Sequence, residues 1–163
     1  MMTAAVVTVS DSAARGERRD LSGPATAELL RQHGFEVLIQ QIVADEQQQI
    51  EDTLVQSAEQ VQLVVTTGGT GIAERDVTPE ATRAVCYKLI EGIPEKMRSD
   101  GLAKTPFAIL SRGICGVRGR SLILNLPGSP KGAVDSLQSV IHILPHAIDL
   151  LAGKTGHADA ESL

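Results

Sequence analysis

The chain has 163 residues, 42% hydrophobic and 21% charged, which is enough for one domain to bury its core without disulfides or a structural metal. A formal net charge of -5 and only 2% aromatic residues, with no Trp, argue against a non-specific binder of nucleic acid or anionic membrane, and against a reader that stacks bases on aromatic rings. The two cysteines, Cys86 and Cys115, form no CxxC pair and are read as small core hydrophobes of a reducing compartment rather than as metal ligands or a disulfide.

In chain order, residues 4–9 form a short apolar, β-branched run that reads as a buried strand. No charged leader or long apolar stretch precedes it, so the expected compartment is the cytoplasm. A polar loop over 10–20 follows. Ser22 is the expected N-cap of a helix with Pro24 in its first turn, closed by Gly34. Residues 35–43 read as a second strand. Asp45 is positioned to cap a helix over 46–59, with Ile50, Leu54 and Val55 on one face. A third continuous apolar strand spans 61–67. Helical segments begin at Thr78-Pro79 and near Pro94, and strands over 114–117 and 122–126 pair through a turn at Gly119. Residues 131–151 carry Val134, Leu137, Ile141, Leu144 and Ile148 along one helical stripe, which Pro145 should kink or divide. Residues 1–153 therefore read as one domain, and 154–163 as a polar, frayed tail.

Alternation of strand and helix predicts an α/β three-layer sandwich. Its sheet is mostly parallel, with helices on both faces and one antiparallel hairpin near the C-terminus. In such sheets ligands bind beyond the carboxyl ends of the strands. Ser10-Asp11-Ser12, Ala44-Asp45-Glu46 and Gly68-Gly69-Thr70-Gly71 each leave such an end and should converge on one rim.

Thr66-Thr67-Gly68-Gly69-Thr70-Gly71 follows the third strand, where glycines let successive amides approach an anion. The spacing matches neither GxGxxG nor GxxxxGK[ST], and an ordinary turn is the competing reading. In Arg75-Asp76-Val77-Thr78-Pro79-Glu80, Asp76 either settles a helix dipole or binds magnesium beside that nest. Asp45 is open to the same two readings, as a cap or as a second carboxylate for the metal. Leu126-Pro127-Gly128-Ser129-Pro130-Lys131-Gly132 offers a helix N-terminus, a hydroxyl and an ammonium to a phosphate. Ser111-Arg112 adds a hydroxyl and a planar cation. His142 and His146 have i, i+4 spacing, but Pro145 intervenes and no acidic partner accompanies them, so they read as surface residues. Glu17-Arg18-Arg19-Asp20 reads as a solvated charge run.

Taken together, Ser10-Asp11-Ser12, Asp20-Leu21-Ser22-Gly23-Pro24, Asp45-Glu46, Thr67-Gly68-Gly69-Thr70-Gly71, Arg75 to Glu80, Leu110-Ser111-Arg112 and Leu126 to Pro130 resemble the MogA/MoaB-type molybdopterin-binding proteins, whose domain also occurs in gephyrin. The match runs in order over nearly the whole chain. The resemblance implies a molybdopterin adenylyltransferase that takes molybdopterin and ATP with Mg²⁺, releases pyrophosphate and passes its product to a separate molybdate-insertion protein. It also implies a homotrimer or homohexamer, with no nucleic-acid or membrane partner. Carried over by position, Asp45 and Asp76 are the catalytic and metal-binding carboxylates. Thr67, Gly68, Gly69, Thr70, Gly71, Ser111, Arg112, Pro127, Gly128, Ser129 and Lys131 lie at the pterin and its phosphate. Ser10, Asp11, Asp20, Ser22 and Gly23 lie near the nucleotide.

Two other readings share this fold: a non-catalytic molybdopterin carrier, and a nucleotide hydrolase of the competence-damage protein type. A Rossmann dehydrogenase is poorly supported, because Ser10-Asp11-Ser12 stands where GxGxxG is expected.

Overall fold

The computed structural model describes residues 1–155; the tail expected over 154–163 falls almost wholly outside the described residues. The elements are β1 (Met2–Val9), a short α1 (Asp11–Ala14), α2 (Ser22–Gln32), β2 (Phe35–Val43), α3 (Gln47–Ala58), β3 (Leu63–Thr67) and α4 (Thr78–Val85). These are followed by β4 (Lys88–Leu89), α5 (Gly92–Leu102), a 3₁₀ turn (Pro106–Leu110), β5 (Cys115–Arg118), β6 (Ser121–Leu126), α6 (Pro130–Val140) and α7 (Leu144–Leu151). One six-stranded sheet runs in the order β2-β1-β3-β6-β5-β4. β2, β1, β3 and β6 are mutually parallel, and β5 runs antiparallel to both of its neighbours. The expected α/β sandwich with its C-terminal hairpin is therefore present.

Side chains of a strand alternate between sheet faces, and the central strands are apolar on both. Ala4, Val6, Leu63, Val65, Leu122 and Leu124 face one side, where they pack with Ala27, Leu30, Leu137, Leu144 and Ile148 of the helices. Ala5, Val7, Val64 and Ile123 face the other side, against Ile50 and Leu54 of α3 and Ala81 of α4. With scarcely any aromatics, the core is filled by interlocking aliphatic chains, as the composition required. β2 is an edge strand, buried only at its ends, Phe35 and Val43, and largely exposed between them.

Several local expectations change. Ser22 is the first residue of α2 rather than its cap. The Asp20 carboxylate takes that place, accepting from Gly23 N at 3.0 Å. Asp45 does not cap α3, which starts at Gln47 behind Glu46 with no side-chain cap. β3 begins at Leu63, two residues later than expected: Val61 N still bonds back to Ser57 O of α3, while Gln62 bridges to Thr3 O and Leu122 N. The final helical stripe divides into α6 and α7 ahead of Pro145. β4, α1 and the 3₁₀ turn have too few residues to show a period.

Thr26 is fully buried in α2, and its hydroxyl finds no hydrogen-bond partner among the described residues. An unpaired buried hydroxyl costs free energy that an isosteric methyl does not. Thr26→Val should therefore leave stability unchanged or raise it by about 1 kcal/mol. Urea denaturation reads this directly; a clear loss of stability would show that the hydroxyl is satisfied.

Candidate active site

The parallel sheet reverses its winding between β1 and β3, and the crevice opens where their carboxyl ends diverge. The glycine loop leaves β3 at this point. Gly68 and Gly69 have φ of 93° and 70°, a region favouring glycine. A Cβ on Gly68 would overlap the Val9 carbonyl oxygen, and one on Gly128 would stand 3.2 Å from Gly68 Cα. Three strand ends thus meet at one rim because two of their residues have no side chain.

The loop presents its carbonyls to the protein. Gly68 O accepts from Thr78 Oγ1 at 2.9 Å, Gly69 O from Thr78 N at 3.1 Å, Thr70 O from Arg112 N at 2.8 Å and Gly71 O from Arg112 Nε at 2.7 Å. Gly68 N donates to Leu126 O. The amides of Gly69, Thr70 and Gly71 donate to no protein acceptor among the described residues. With carbonyls bonded to the protein and three amides unpaired, the loop leaves donors of the kind that suit an anion.

A buried polar chain supports it from below. Asn125 Nδ2 donates to Thr66 Oγ1 at 3.1 Å and Thr82 Oγ1 at 2.9 Å, and Asn125 Oδ1 accepts from Ile114 N. Thr82 Oγ1 donates to Thr78 O, and Thr78 reaches the glycine loop. These threonines and Asn125 are all essentially inaccessible to solvent.

Asp45 and Asp76 border the same loop. Asp45 Oδ1 lies 3.2 Å from where a Cβ on Gly69 would stand, and Asp76 Oδ2 lies 2.8 Å from that of Gly71. Each carboxylate has one oxygen held by a backbone amide: Asp45 Oδ2 by Asp11 N at 2.9 Å, Asp76 Oδ2 by Ala73 N at 3.0 Å. The Oδ1 atoms accept no hydrogen bond among the described residues. Burial raises the Asp45 pKa above the ordinary carboxylate range; the Asp11 amide opposes this, while the charges of Asp11 and Asp76 add to it. Two half-free carboxylates that repel one another suit a hard divalent cation completed by phosphate oxygens and water. Among the described residues no cluster of three or more His, Cys, Asp or Glu is placed to hold a metal ion.

The other expected nucleotide residues are tied into the protein. Ser10 Oγ caps α1, accepting from Ala13 N at 3.2 Å. Both oxygens of Asp11 accept from Arg75, at 2.6 and 3.1 Å, and Oδ1 also accepts from Asp45 N. The Arg75 guanidinium, first, and the Asp45 contact, second, hold the Asp11 carboxyl below its ordinary range. Asp20 Oδ2 accepts from Thr8 Oγ1 at 2.7 Å, while Ser22 Oγ shares a 2.9 Å bond with Thr67 Oγ1. A Cβ on Gly23 would strike both Asp20 and Thr8.

Arg112 also points inward. Besides Gly71 O, its guanidinium donates to Asp76 O at 2.8 Å and pairs with Glu80. It thereby holds the glycine loop and the Asp76 backbone. Ser111, Pro127 and Ser129 line a cavity of about 450 Å³, within the range of small-molecule sites. Its walls include Met97, Arg98 and Phe107 from α5 and the 3₁₀ turn. Arg98 was not legible in the sequence: it stands among helix surface residues, and only the fold brings it to Gly113 O at 3.1 Å. Asp45 and Asp76 are not among that cavity's lining residues; the glycine loop joins the two regions through Arg112 and Gly128. Ser129 Oγ caps α6 through Gly132 N, and Lys131 is exposed on the first turn.

Neither cysteine suits nucleophilic chemistry. Burial pushes the thiol of Cys86 up to about 11 and that of Cys115 up to about 12. His142 and His146 are exposed. No helix among the described residues is long and apolar enough to cross a membrane.

Residues 5–146 match the family described as "Probable molybdopterin binding domain". The chain is 46% identical over 152 residues to a molybdopterin adenylyltransferase of Helicobacter pylori, covering 91% of this chain and 86% of that protein. It is 41% identical over 165 residues to the molybdopterin adenylyltransferase of Escherichia coli K12, with 91% and 84% covered. Among solved structures, the molybdopterin biosynthesis enzyme MoaB of Thermus thermophilus matches with a TM-score of 0.89 at 50% identity, over 94% of this chain and 98% of that one. In sequence and in backbone, then, the chain belongs to the MogA/MoaB-type molybdopterin-binding family.

Proposed function

We propose that the chain is a molybdopterin adenylyltransferase. One observation carries the reading furthest: the free Oδ1 of Asp45, the Asp76 carboxylate and the three unpaired amides of residues 69–71 border one loop. Cation-binding and anion-binding groups on one loop suit a metal-bound triphosphate. Residues 1–153 form the catalytic domain in this reading.

The reaction joins two anions. An oxygen of the pterin's terminal phosphate attacks the α-phosphorus of ATP, a Pα–O bond forms, and the bond to the leaving pyrophosphate breaks with the electron pair going to its oxygen. A phosphate oxygen is already a nucleophile at neutral pH, so the absence of a Ser–His or Cys–His pair from the site is no obstacle. The protein's work is to position the reactants and offset their repulsion. Bound Mg²⁺, held by Asp45 and Asp76, would supply positive charge at the transferring phosphoryl group. The amides of Gly69, Thr70 and Gly71 stabilise phosphate oxygens without reorganising, because their carbonyls are fixed behind them.

Ser111, Pro127, Gly128, Ser129 and Lys131 serve the pterin side. Ser111, Pro127 and Ser129 belong to the walls of the cavity, and Lys131 stands at the N-terminus of α6. Ser10, Asp11, Asp20, Ser22 and Gly23 serve the nucleotide side by shaping the adjoining loops rather than by direct contact. The exposed Phe107, Ile109 and Leu110 favour burial against further copies, in keeping with a homotrimer or homohexamer. A cytoplasmic enzyme would pass its adenylylated product to a separate molybdate-insertion protein.

Incubation with molybdopterin, Mg²⁺ and ATP labelled in its α-phosphate should put label on the pterin and release pyrophosphate. Pterin bound without label transfer would make the protein a carrier, and pterin-independent ATP cleavage would make it a hydrolase. Asp76→Asn should lower AMP transfer by at least about a hundredfold while molybdopterin binding persists; near-normal turnover would refute the metal role. Lys131→Ala should raise the KM for molybdopterin by about tenfold with little change in kcat, since a charge-assisted contact is lost from both ground and transition states. A fall in kcat alone would move Lys131 from binding to the chemical step.

A further inference from the structure

Arg75 lies in the motif ahead of α4 and touches neither Asp45 nor the cavity. We infer that Arg75 is a positioning residue that sets the Asp45 carboxylate by locking Asp11 against it; this rests on the reading of Asp45 as a metal ligand. The loops after β1 and β2 are joined by a reciprocal pair of bonds: Asp11 N donates to Asp45 Oδ2 and Asp45 N donates to Asp11 Oδ1, each at 2.9 Å. This clasp fixes one carboxylate oxygen of Asp45 and leaves Oδ1 turned toward the glycine loop. Without support it would set two carboxylates on adjacent backbones with no cation between them.

Arg75 supplies that cation from a third loop. Its Nε and Nη2 bind both oxygens of Asp11, and Nη2 also reaches Glu46 Oε1 at 2.8 Å, one residue beyond Asp45. The planar fork therefore braces Asp45 from both sides along the chain: through the Asp11 clasp and through the residue that follows it. A guanidinium makes these contacts at once, whereas an ammonium is a single point charge. Arg75 is more than half exposed, so its value as a surface ion pair alone is small. Its effect should therefore appear in geometry rather than in stability.

The test uses the full chain with Arg75→Gln, Arg75→Lys, Asp11→Asn and the Arg75→Gln/Asp11→Asn double variant. Arg75→Gln should lower kcat by about tenfold to a hundredfold, the scale of a small misplacement of a reacting group. It should leave the KM for molybdopterin within about twofold, because uniform pterin binding is untouched. The affinity for Mn²⁺ in the presence of ATP, read by electron paramagnetic resonance without turnover, should weaken in parallel. Thermal unfolding should stay close to that of the unaltered protein. Arg75→Lys should recover part of the metal affinity, and the double variant should be no worse than the more impaired single variant, since Arg75 acts through Asp11.

Unchanged kcat and Mn²⁺ affinity in Arg75→Gln would overturn the inference. So would a rise in substrate KM alone, which would make Arg75 a direct contact, or additive losses in the double variant. Should Arg75→Gln not fold, the same readings on Arg75→Lys and Asp11→Asn decide the matter. Asp45→Asn separates the two levels. Normal Mn²⁺ binding in that variant removes the metal role itself; lost binding there with intact binding in Arg75→Gln removes only the positioning role.

Discussion

The site depends on a steric fact: the backbone of β3 must leave the sheet against the Val9 carbonyl, at a distance no side chain permits. Gly68 meets that condition, and Gly128 allows the β6 loop to close on it from the other side. The positive φ values at Gly68 and Gly69 then turn the chain so that its carbonyls face the protein. A nest of amides is the consequence of where the carbonyls went. Pre-organisation of this kind is effective because donors that are already aimed need no reorientation as charge develops.

Fixing the carbonyls requires buried polar partners, and these explain why Thr66, Thr78, Thr82 and Asn125 are buried near one end of β3 and β6. Buried hydroxyls and amides are costly unless paired. Here the bonds run continuously from Asn125 through Thr82 and Thr78 to Gly68. The polar chain therefore links packing of the sheet to the position of the ligand loop. A change at Asn125 would act on the site without touching any ligand.

The strands and long helices were legible because their periodicity is strong: continuous apolar runs for β1, β3 and β6, and one apolar stripe for α6 and α7. Convergence of the three loops followed from the rule for parallel sheets. The capping assignments at Ser22 and Asp45 failed for a common reason. A Ser or Asp before a helix looks alike whether it binds the helix amides or something distant in sequence. Ser22 turned to Thr67, and Asp45 turned to Asp11. The same blindness hid the uses of Arg75 and Arg112, whose partners stand 64 and 41 residues away. Local pattern identifies which residues are chemically capable, and tertiary contacts decide which of them remain available.

That distinction also resolves the charge of the protein. A net charge of -5 is, at first sight, ill suited to two phosphate-bearing substrates. Yet the arginines beside the glycine loop are already paired within the protein: Arg75 with Asp11 and Glu46, and Arg112 with Glu80 and two carbonyls. In the proposed reading, the charge offered to ligand would be backbone amide, the Lys131 ammonium and a cation held by Asp45 and Asp76. Fixed dipoles and a bound ion have better-defined positions than long cationic side chains, which lose rotamer entropy on every binding event. With these arginines paired within the protein, the proposed site would direct its substrates by loop geometry rather than by free cationic side chains.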